Sequence, residues 1–196
     1  MITFQQFIRE SVFVPLDIPQ TQNYWHGGNL DDYNDLIAQK NGRYEHGAGL
    51  YLTTHYGTAV DYAKGSRKLY MVAVKRGQDI ADALLPLSDV QTFIETYVIG
   101  RLRKPLWARL QAAAQGTNIP AWRFNNAILH DKAVTGRNTI RLREFLVNAG
   151  IDYELVSNPF GWGEQMMVLY NMKKIAKVLR VLPTDRISVY DLPYDK

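Results

Sequence analysis

The sequence predicts an α+β domain in which short strands alternate with helices. Apolar runs with strand-like alternation are short and spread over the whole chain, and helical spacing of Ala, Leu, Ile and Arg dominates a middle stretch from residue 79 to 115. Neither an internal repeat nor a low-complexity segment is present. Scattered strands with a helical middle favour α+β over a regular α/β alternation. The predicted strands cover residues 24–26, 50–53, 69–74, 151–156, 165–170 and 176–182.

The predicted helices come from capping residues and from apolar spacing. Thr58 is a plausible N-cap for a helix that carries Ala59, Tyr62 and Ala63 and ends at Gly65. Two or three helices are expected in the middle stretch, with Pro86 and Pro105 as interruptions. Further helices are expected at 30–39, where the residues are polar, and at 139–148, closed by Gly150. Helices near the middle would form an insertion at about residues 79–135.

Length and composition restrict the class of protein. With 196 residues and 46% hydrophobic content, the chain can bury one sizeable core. The net charge of +4 allows attraction to phosphate-rich or acidic partners. The absence of cysteine excludes disulfides, thiolate metal sites and a cysteine nucleophile. No stretch is apolar enough to cross a membrane, and no secretory signal opens the chain, so a cytoplasmic location is expected.

Residues 1–20 are predicted to form an N-terminal arm ahead of the domain at 21–196. Ile2, Phe4, Phe7 and Ile8 follow roughly helical spacing, and prolines at 15 and 19 then end the regularity. The result is a short amphipathic segment.

Three separated motifs contain the residues suited to chemistry. The first, Tyr24-Trp25-His26-Gly27-Gly28, places a histidine at a strand end before two glycines, where a backbone can approach a ligand closely. The second runs Gly49-Leu50-Tyr51-Leu52-Thr53 and continues into Ala59-Val60-Asp61-Tyr62, so that its two tyrosines are eleven positions apart. The third, Gly163-Glu164-Gln165-Met166, sets a glutamate at the start of an apolar strand.

In order and spacing, these motifs resemble the poly- and mono-ADP-ribosyltransferase family of the His-Tyr-Glu type. The similar residues span most of the chain from Tyr24 to Leu182, although the helical middle resembles no part of the family. The resemblance implies the ADP-ribosyltransferase fold, a split β-sheet around an NAD-binding cleft with NAD+ as the substrate. It also implies a catalytic triad of His26, Tyr51 and Glu164.

The resemblance implies a role for each of these residues. Tyr51 and Tyr62 would sandwich the cationic nicotinamide ring, a contact that stacking and cation–π attraction favour. His26 would hydrogen-bond the ribose on the adenosine side, and the Gly27 backbone would hold the nicotinamide amide. Glu164 would bind a hydroxyl of the nicotinamide ribose and polarise the nucleophile. A fixed carboxylate there stabilises the positive charge that develops on the ribose as the glycosidic bond breaks.

The chain departs from the family pattern at several positions. Gly28 and Ala59 stand where the family often has hydroxyl residues, so NAD+ contacts would move to Asn29, Thr53 or Thr58. The predicted NAD+-binding residues are therefore His26, Gly27, Gly28, Tyr51, Thr53 and Tyr62. Trp162 stands where arginine-modifying relatives usually carry Glu or Gln, which argues against an arginine acceptor. Glu45 is a reserve candidate for the carboxylate.

The function predicted is mono-ADP-ribosylation, with a protein or a nucleic acid as the acceptor. A lone glutamate without a second acidic residue beside it is typical of relatives that transfer a single unit. Water as acceptor would make the protein an NAD+ glycohydrolase. The alternatives are an RNA 2′-phosphotransferase, which relies on several arginines in place of Glu164, and a binding module that kept the fold without catalysis.

Two further features leave alternatives open. A basic run with an aromatic residue at 101–109 suits phosphate binding, although a solvated helix face is the favoured explanation. Residues 3–10 resemble the targeting segments of proteins packaged in tailed-phage heads, with Ile8-Arg9-Glu10 as the processing signal. That resemblance implies a phage-encoded enzyme delivered into the host cytoplasm. His46, His55 and His130 lack metal-ligand spacing, so no metal site is predicted.

Overall fold

The computed structural model describes residues 21–28, 30, 47–63, 68–136, 138–157 and 164–183. The predicted arm at 1–20, the bulk of the predicted helix at 30–39 and the aromatic loop at 158–163 therefore lie outside the described residues. Gly65 lies outside them as well.

The described strands form one large sheet and one small one. The large sheet has six antiparallel strands in the order β6-β7-β2-β1-β3-β8, and β4 pairs with β5 in a separate ribbon. The strands are β1 (Thr21–Gly27), β2 (Leu50–Thr53), β3 (Lys68–Lys75), β4 (Leu84–Pro86), β5 (Asn118–Pro120), β6 (Tyr153–Ser157), β7 (Gln165–Leu169) and β8 (Ala176–Pro183).

Most of the described helices lie between β3 and β6. They are α1 (Tyr56–Tyr62), a 3₁₀ turn (Ile80–Asp82), α2 (Leu87–Tyr97), α3 (Gly100–Ala112), α4 (Ala121–His130), α5 (Asn138–Asn148) and α6 (Met172–Ile175). The helices α2 to α5, with the 3₁₀ turn and the β4–β5 ribbon, share one apolar core and are called the helical unit, residues 80–148. None of the described helices is long and apolar enough to cross a membrane.

The mixed α+β architecture with antiparallel sheets agrees with the predicted class. All six predicted strands are present, with ends that differ by up to three residues. The helical unit continues past the predicted limit of 135, because Leu142 and Leu146 of α5 pack into the same core as α2 to α4. Gly150 closes α5 as expected, with a φ of 84° that favours glycine.

Two helix boundaries were predicted wrongly. The N-cap of α1 is His55, not Thr58, because the His55 ring nitrogen accepts the Thr58 backbone N–H at 3.2 Å. Pro105 lies inside α3 instead of dividing it; the break falls at Val98–Ile99, where both backbones are extended. The Asn138 side chain donates to the Tyr97 carbonyl at 2.9 Å and so satisfies one carbonyl at the end of α2.

Helix α1 and the helical unit cover different parts of the same face of the large sheet. Helix α1 packs on Trp25 and Leu69, whereas the helical unit packs on Val168 and Tyr170. The register pairs Trp25 with Thr53, and Tyr51 with Val168. Side chains paired across antiparallel strands share a face, as do residues two apart on one strand. Tyr51 and Thr53 therefore lie on the face that α1 and the helical unit cover, between the two.

Candidate active site

The sheet is weakest between β1 and β2. Seven residues of β1 pair with β3, but within the described strands only Trp25 of β1 pairs with a residue of β2, Thr53. Next to this single pair, a side chain joins the strands: His26 Nδ1 lies 2.8 Å from the Tyr51 carbonyl oxygen. Among the described strands, the β1–β2 ladder is therefore the shortest of the large sheet, and it lies at the position of the first two motifs.

The contact with Tyr51 defines the chemical state of His26. A carbonyl oxygen only accepts, so Nδ1 must carry the proton and Nε2 is the acceptor nitrogen of the neutral ring. Burial lowers the pKa of His26, and the hydrogen bond to Tyr51 opposes this only in part. At neutral pH the ring therefore offers an acceptor atom of the kind a ribose hydroxyl requires.

The glycines after His26 allow close packing. A Cβ on Gly27 would lie 1.7 Å from the Ala59 carbonyl oxygen, so only glycine lets α1 rest on the β1 backbone. A Cβ on Gly28 would lie 2.8 Å from His26 Nε2, and the Gly28 φ of 153° is itself unusual for other residues. The Gly28 N–H donates to the Lys68 carbonyl at 3.2 Å. Both glycines therefore shape the surroundings of His26 through their lack of a side chain.

Glu164 lies immediately before β7 and is only 4% exposed. The Thr53 hydroxyl donates to its carboxylate, and the Thr53 oxygen in turn accepts the His55 backbone N–H at 2.9 Å. Next to it, the Gln165 N–H donates to the Thr54 hydroxyl at 2.9 Å. These contacts hold the glutamate against the end of β2. They also use the Thr53 hydroxyl, which the sequence had suggested for a direct contact with NAD+.

The two tyrosines of the second motif differ in exposure. Tyr51 is partly buried against the core of the helical unit, and its hydroxyl donates to the Gly47 carbonyl at 2.9 Å. Tyr62, the last residue of α1, is 63% exposed. Of the two rings predicted to bind nicotinamide, one is therefore partly buried and the other is exposed.

Direct contacts join four of the predicted residues at β2. His26 reaches the Tyr51 backbone, and Glu164 reaches the Thr53 side chain. Gly27 is linked through its packing on α1, which carries Tyr62. Asn29, Glu45, His46, Phe160 and Trp162 lie outside the described residues. In the described part of the chain, no three His, Asp or Glu side chains are arranged as a metal site would need.

Sequence reasoning missed a second buried glutamate. Glu154 of β6 is 9% exposed and accepts the Tyr170 hydroxyl at 2.8 Å and the Asn125 side-chain amide at 3.0 Å. Asn125 itself is fully buried. A glutamate between the apolar Tyr153 and Leu155 was the only sequence signal for this cluster.

The opposite face of the sheet carries a separate cleft of about 370 Å³. It contains the side chains of Tyr24, Tyr153 and Gln165, and the Tyr24 hydroxyl donates to Gln165 Oε1 at 3.0 Å. Gln165 follows Glu164 directly, but successive strand residues point to opposite faces. This cleft therefore lies on the face opposite to Tyr51 and Thr53.

No family model, no curated protein and no solved structure matched the chain in comparisons with known proteins. A function for the protein must therefore be argued from its own residues and their geometry.

Proposed function

We propose that the protein is a mono-ADP-ribosyltransferase that cleaves NAD+ at the nicotinamide–ribose bond and transfers ADP-ribose to a protein or nucleic-acid acceptor. The observation that carries the proposal is the arrangement around β2. A neutral histidine contacts one residue of this strand, and a buried glutamate contacts the residue two positions on. His26 reaches the Tyr51 backbone across the short β1–β2 ladder, and Glu164 is held beside Thr53 at the end of β2.

Each group suits one part of the substrate. His26 Nε2 accepts a hydroxyl of the adenosine ribose, and the Tyr51 and Tyr62 rings lie on either side of the cationic nicotinamide. Glu164, held by the Thr53 hydroxyl, accepts a hydroxyl of the nicotinamide ribose. A carboxylate already fixed by hydrogen bonds does not have to reorganise as charge develops, which is the main source of electrostatic catalysis.

The reaction breaks one bond and forms one bond at the same carbon. The electron pair of the C–N bond leaves with nicotinamide, which departs neutral, and positive charge develops on the ribose. A lone pair of the acceptor then forms the new bond at the anomeric carbon, and the acceptor gives its proton to Glu164 or to solvent. Glu164 stabilises the oxocarbenium-like transition state more than bound NAD+, and this difference accelerates the reaction.

The first test is nicotinamide release from NAD+ by the purified protein, with and without bacterial lysate. We expect release that is stimulated by lysate, with label from [³²P]NAD+ appearing on a macromolecule. Glu164→Ala should abolish both, whereas the exposed Glu144→Ala should change neither. Release without labelled product would mean that water is the acceptor. Release that survives Glu164→Ala would favour the phosphotransferase, and no release at all would favour a binding module.

A further inference from the structure

We propose that the helical unit sets the orientation of Tyr51 through the buried Asn125–Glu154–Tyr170 cluster, which makes Asn125 a positioning residue for NAD+ binding. The effect on NAD+ rests on the proposed function. The effect on the Tyr51 ring does not.

The cluster joins three elements of the fold. Glu154 lies on β6, Asn125 lies on α4 of the helical unit, and Tyr170 follows β7. The Asn125 amide donates to Glu154 Oε2 at 3.0 Å and faces the Tyr170 hydroxyl oxygen at 3.3 Å, while that hydroxyl donates to Glu154 at 2.8 Å. A carboxylate buried this deeply destabilises the fold unless hydrogen-bond donors reach it. Asn125 and Tyr170 must therefore keep their positions relative to Glu154.

The hydrogen bonds fix which way the Asn125 amide points. Its nitrogen has to face the two oxygens, because the amide oxygen would be repelled by the carboxylate. Oδ1 therefore points away from them, and it lies 3.8 Å from the position of a Cβ on Gly47. Among the described residues this buried oxygen has no hydrogen-bond partner. The Asn125 amide oxygen thus lies close to Gly47, without a hydrogen bond to it.

Gly47 is also where the Tyr51 ring is held. The Tyr51 hydroxyl donates to the Gly47 carbonyl at 2.9 Å, and the Gly47 φ of 92° restricts this position to glycine. Tyr51 also lies in the same cross-strand row as Glu154, with Val168 between them. Tyr51 packs against the apolar core of the helical unit, which includes Tyr170. The Tyr51 side chain is therefore held by Gly47 at its hydroxyl and packs on the core that contains Tyr170.

Loss of the Asn125 amide should release the Tyr51 ring without disturbing Glu164. Glu164 accepts the Thr53 hydroxyl, and the N–H of the next residue, Gln165, donates to the Thr54 hydroxyl, at the other end of β2. We therefore expect Asn125→Leu to weaken NAD+ binding and to leave the chemical step nearly unchanged. We expect KM to rise about tenfold while kcat stays within about twofold, because a misplaced Tyr51 ring weakens the binding of nicotinamide and leaves Glu164 in place.

The experiment compares Asn125→Leu with Asn126→Leu, the same substitution at the next residue, whose side chain is exposed. The proteins are labelled with 3-fluorotyrosine, and the ¹⁹F resonance of Tyr51 is identified by its loss in Tyr51→Phe. The dissociation constant of NAD+ is measured by calorimetry on the same samples. Tyr170→Phe, which removes one hydroxyl and retains the ring, provides a second variant in case Asn125→Leu does not fold.

The proposal predicts that the Tyr51 resonance shifts or broadens in Asn125→Leu and in Tyr170→Phe, and stays unchanged in Asn126→Leu. An unchanged Tyr51 resonance in a folded Asn125→Leu or Tyr170→Phe protein overturns it. If the resonance changes but the wild-type protein binds no NAD+, the positioning of Tyr51 stands and the proposed function fails. If NAD+ binds equally well to all variants, the role of Asn125 in binding is overturned.

Discussion

The two buried glutamates of the large sheet lie in similar bonding environments but in different places. Each accepts a side-chain hydroxyl, Glu164 from Thr53 and Glu154 from Tyr170. Glu154 is covered by α4 and also receives the Asn125 amide, whereas Glu164 lies at the end of β2 beside Thr53. Burial of a carboxylate therefore does not by itself mark a catalytic site, because the groups around the carboxylate decide which role it can have. Glu154 fits a structural role, and the proposed function gives the catalytic role to Glu164.

The largest effect on stability is expected at Glu154. Glu154→Ala leaves the Tyr170 hydroxyl and the Asn125 amide buried without their acceptor, and should lower the free energy of unfolding by about 3–5 kcal/mol. Urea unfolding followed by circular dichroism measures this. Glu144→Ala, in an exposed pair with Arg141, should leave the midpoint almost unchanged. Equal midpoints for the two variants would remove the structural role of Glu154.

A smaller loss of stability is expected where α1 packs on β1. Gly27→Ala places a methyl group against the Ala59 carbonyl and should lower the unfolding free energy by about 1–3 kcal/mol, because α1 must move away from β1. Gly100→Ala is the matched control, since a Cβ there meets nothing within 4 Å. Identical thermal midpoints for both variants would show that α1 does not rest on Gly27.

Thr53→Val tests how Glu164 is held. The substitution keeps the shape of the side chain but removes the hydroxyl donor, so kcat for nicotinamide release should fall about 10- to 100-fold, as it does when a group that orients a catalytic residue is removed. Thr53→Ser should restore most of the activity, because it returns the hydroxyl. A Thr53→Val protein with wild-type kcat would mean that Glu164 needs no such support.

The smallest effect concerns pH. Because burial lowers the pKa of His26 in the folded protein, the unfolded chain binds the proton more readily. Stability should be complete above the ordinary histidine pKa of about 6.5 and decline as the pH falls through that value. The measurement is the urea midpoint between pH 7.5 and 5 for wild type and for His26→Gln, which should show a shallower decline. Parallel curves would contradict the buried, neutral state of His26.

The sequence predicted the strands well because alternation of apolar residues with a period of two follows directly from burial on one face. It missed β4 and β5, since three residues ending in proline carry no such pattern. The end of α2 at Val98 was missed as well, because proline at 105 was the stronger local signal. His55 was missed as the N-cap, since its role depends on how its ring folds back onto Thr58.

The site was harder to predict from the sequence than the strands. Motif spacing drew attention to His26, Tyr51 and Glu164, but the contact of Thr53 with Glu164 joins residues 111 positions apart. Nothing local in either segment indicates such a pair. Asn125 and Glu154 are polar residues at positions that the fold buries, and hydrophobic periodicity assigns such residues to the surface. Both contacts are tertiary. They form only when α4 packs on the large sheet and when β7 pairs with β2 inside it.

The most direct test of the difference between the two glutamates is one pair of variants, Glu164→Gln and Glu154→Gln, assayed side by side for nicotinamide release and for NAD+ binding. Both substitutions keep the size of the side chain and one acceptor oxygen, and they replace the other carboxylate oxygen with an NH2 donor, which removes the charge. Glu164→Gln should lose about 10³-fold in kcat while still binding NAD+, because a fixed charge is lost at the reacting carbon. Glu154→Gln should retain kcat within a few-fold. Equal losses in both variants, or activity that persists in Glu164→Gln, would contradict the assignment of catalysis to Glu164.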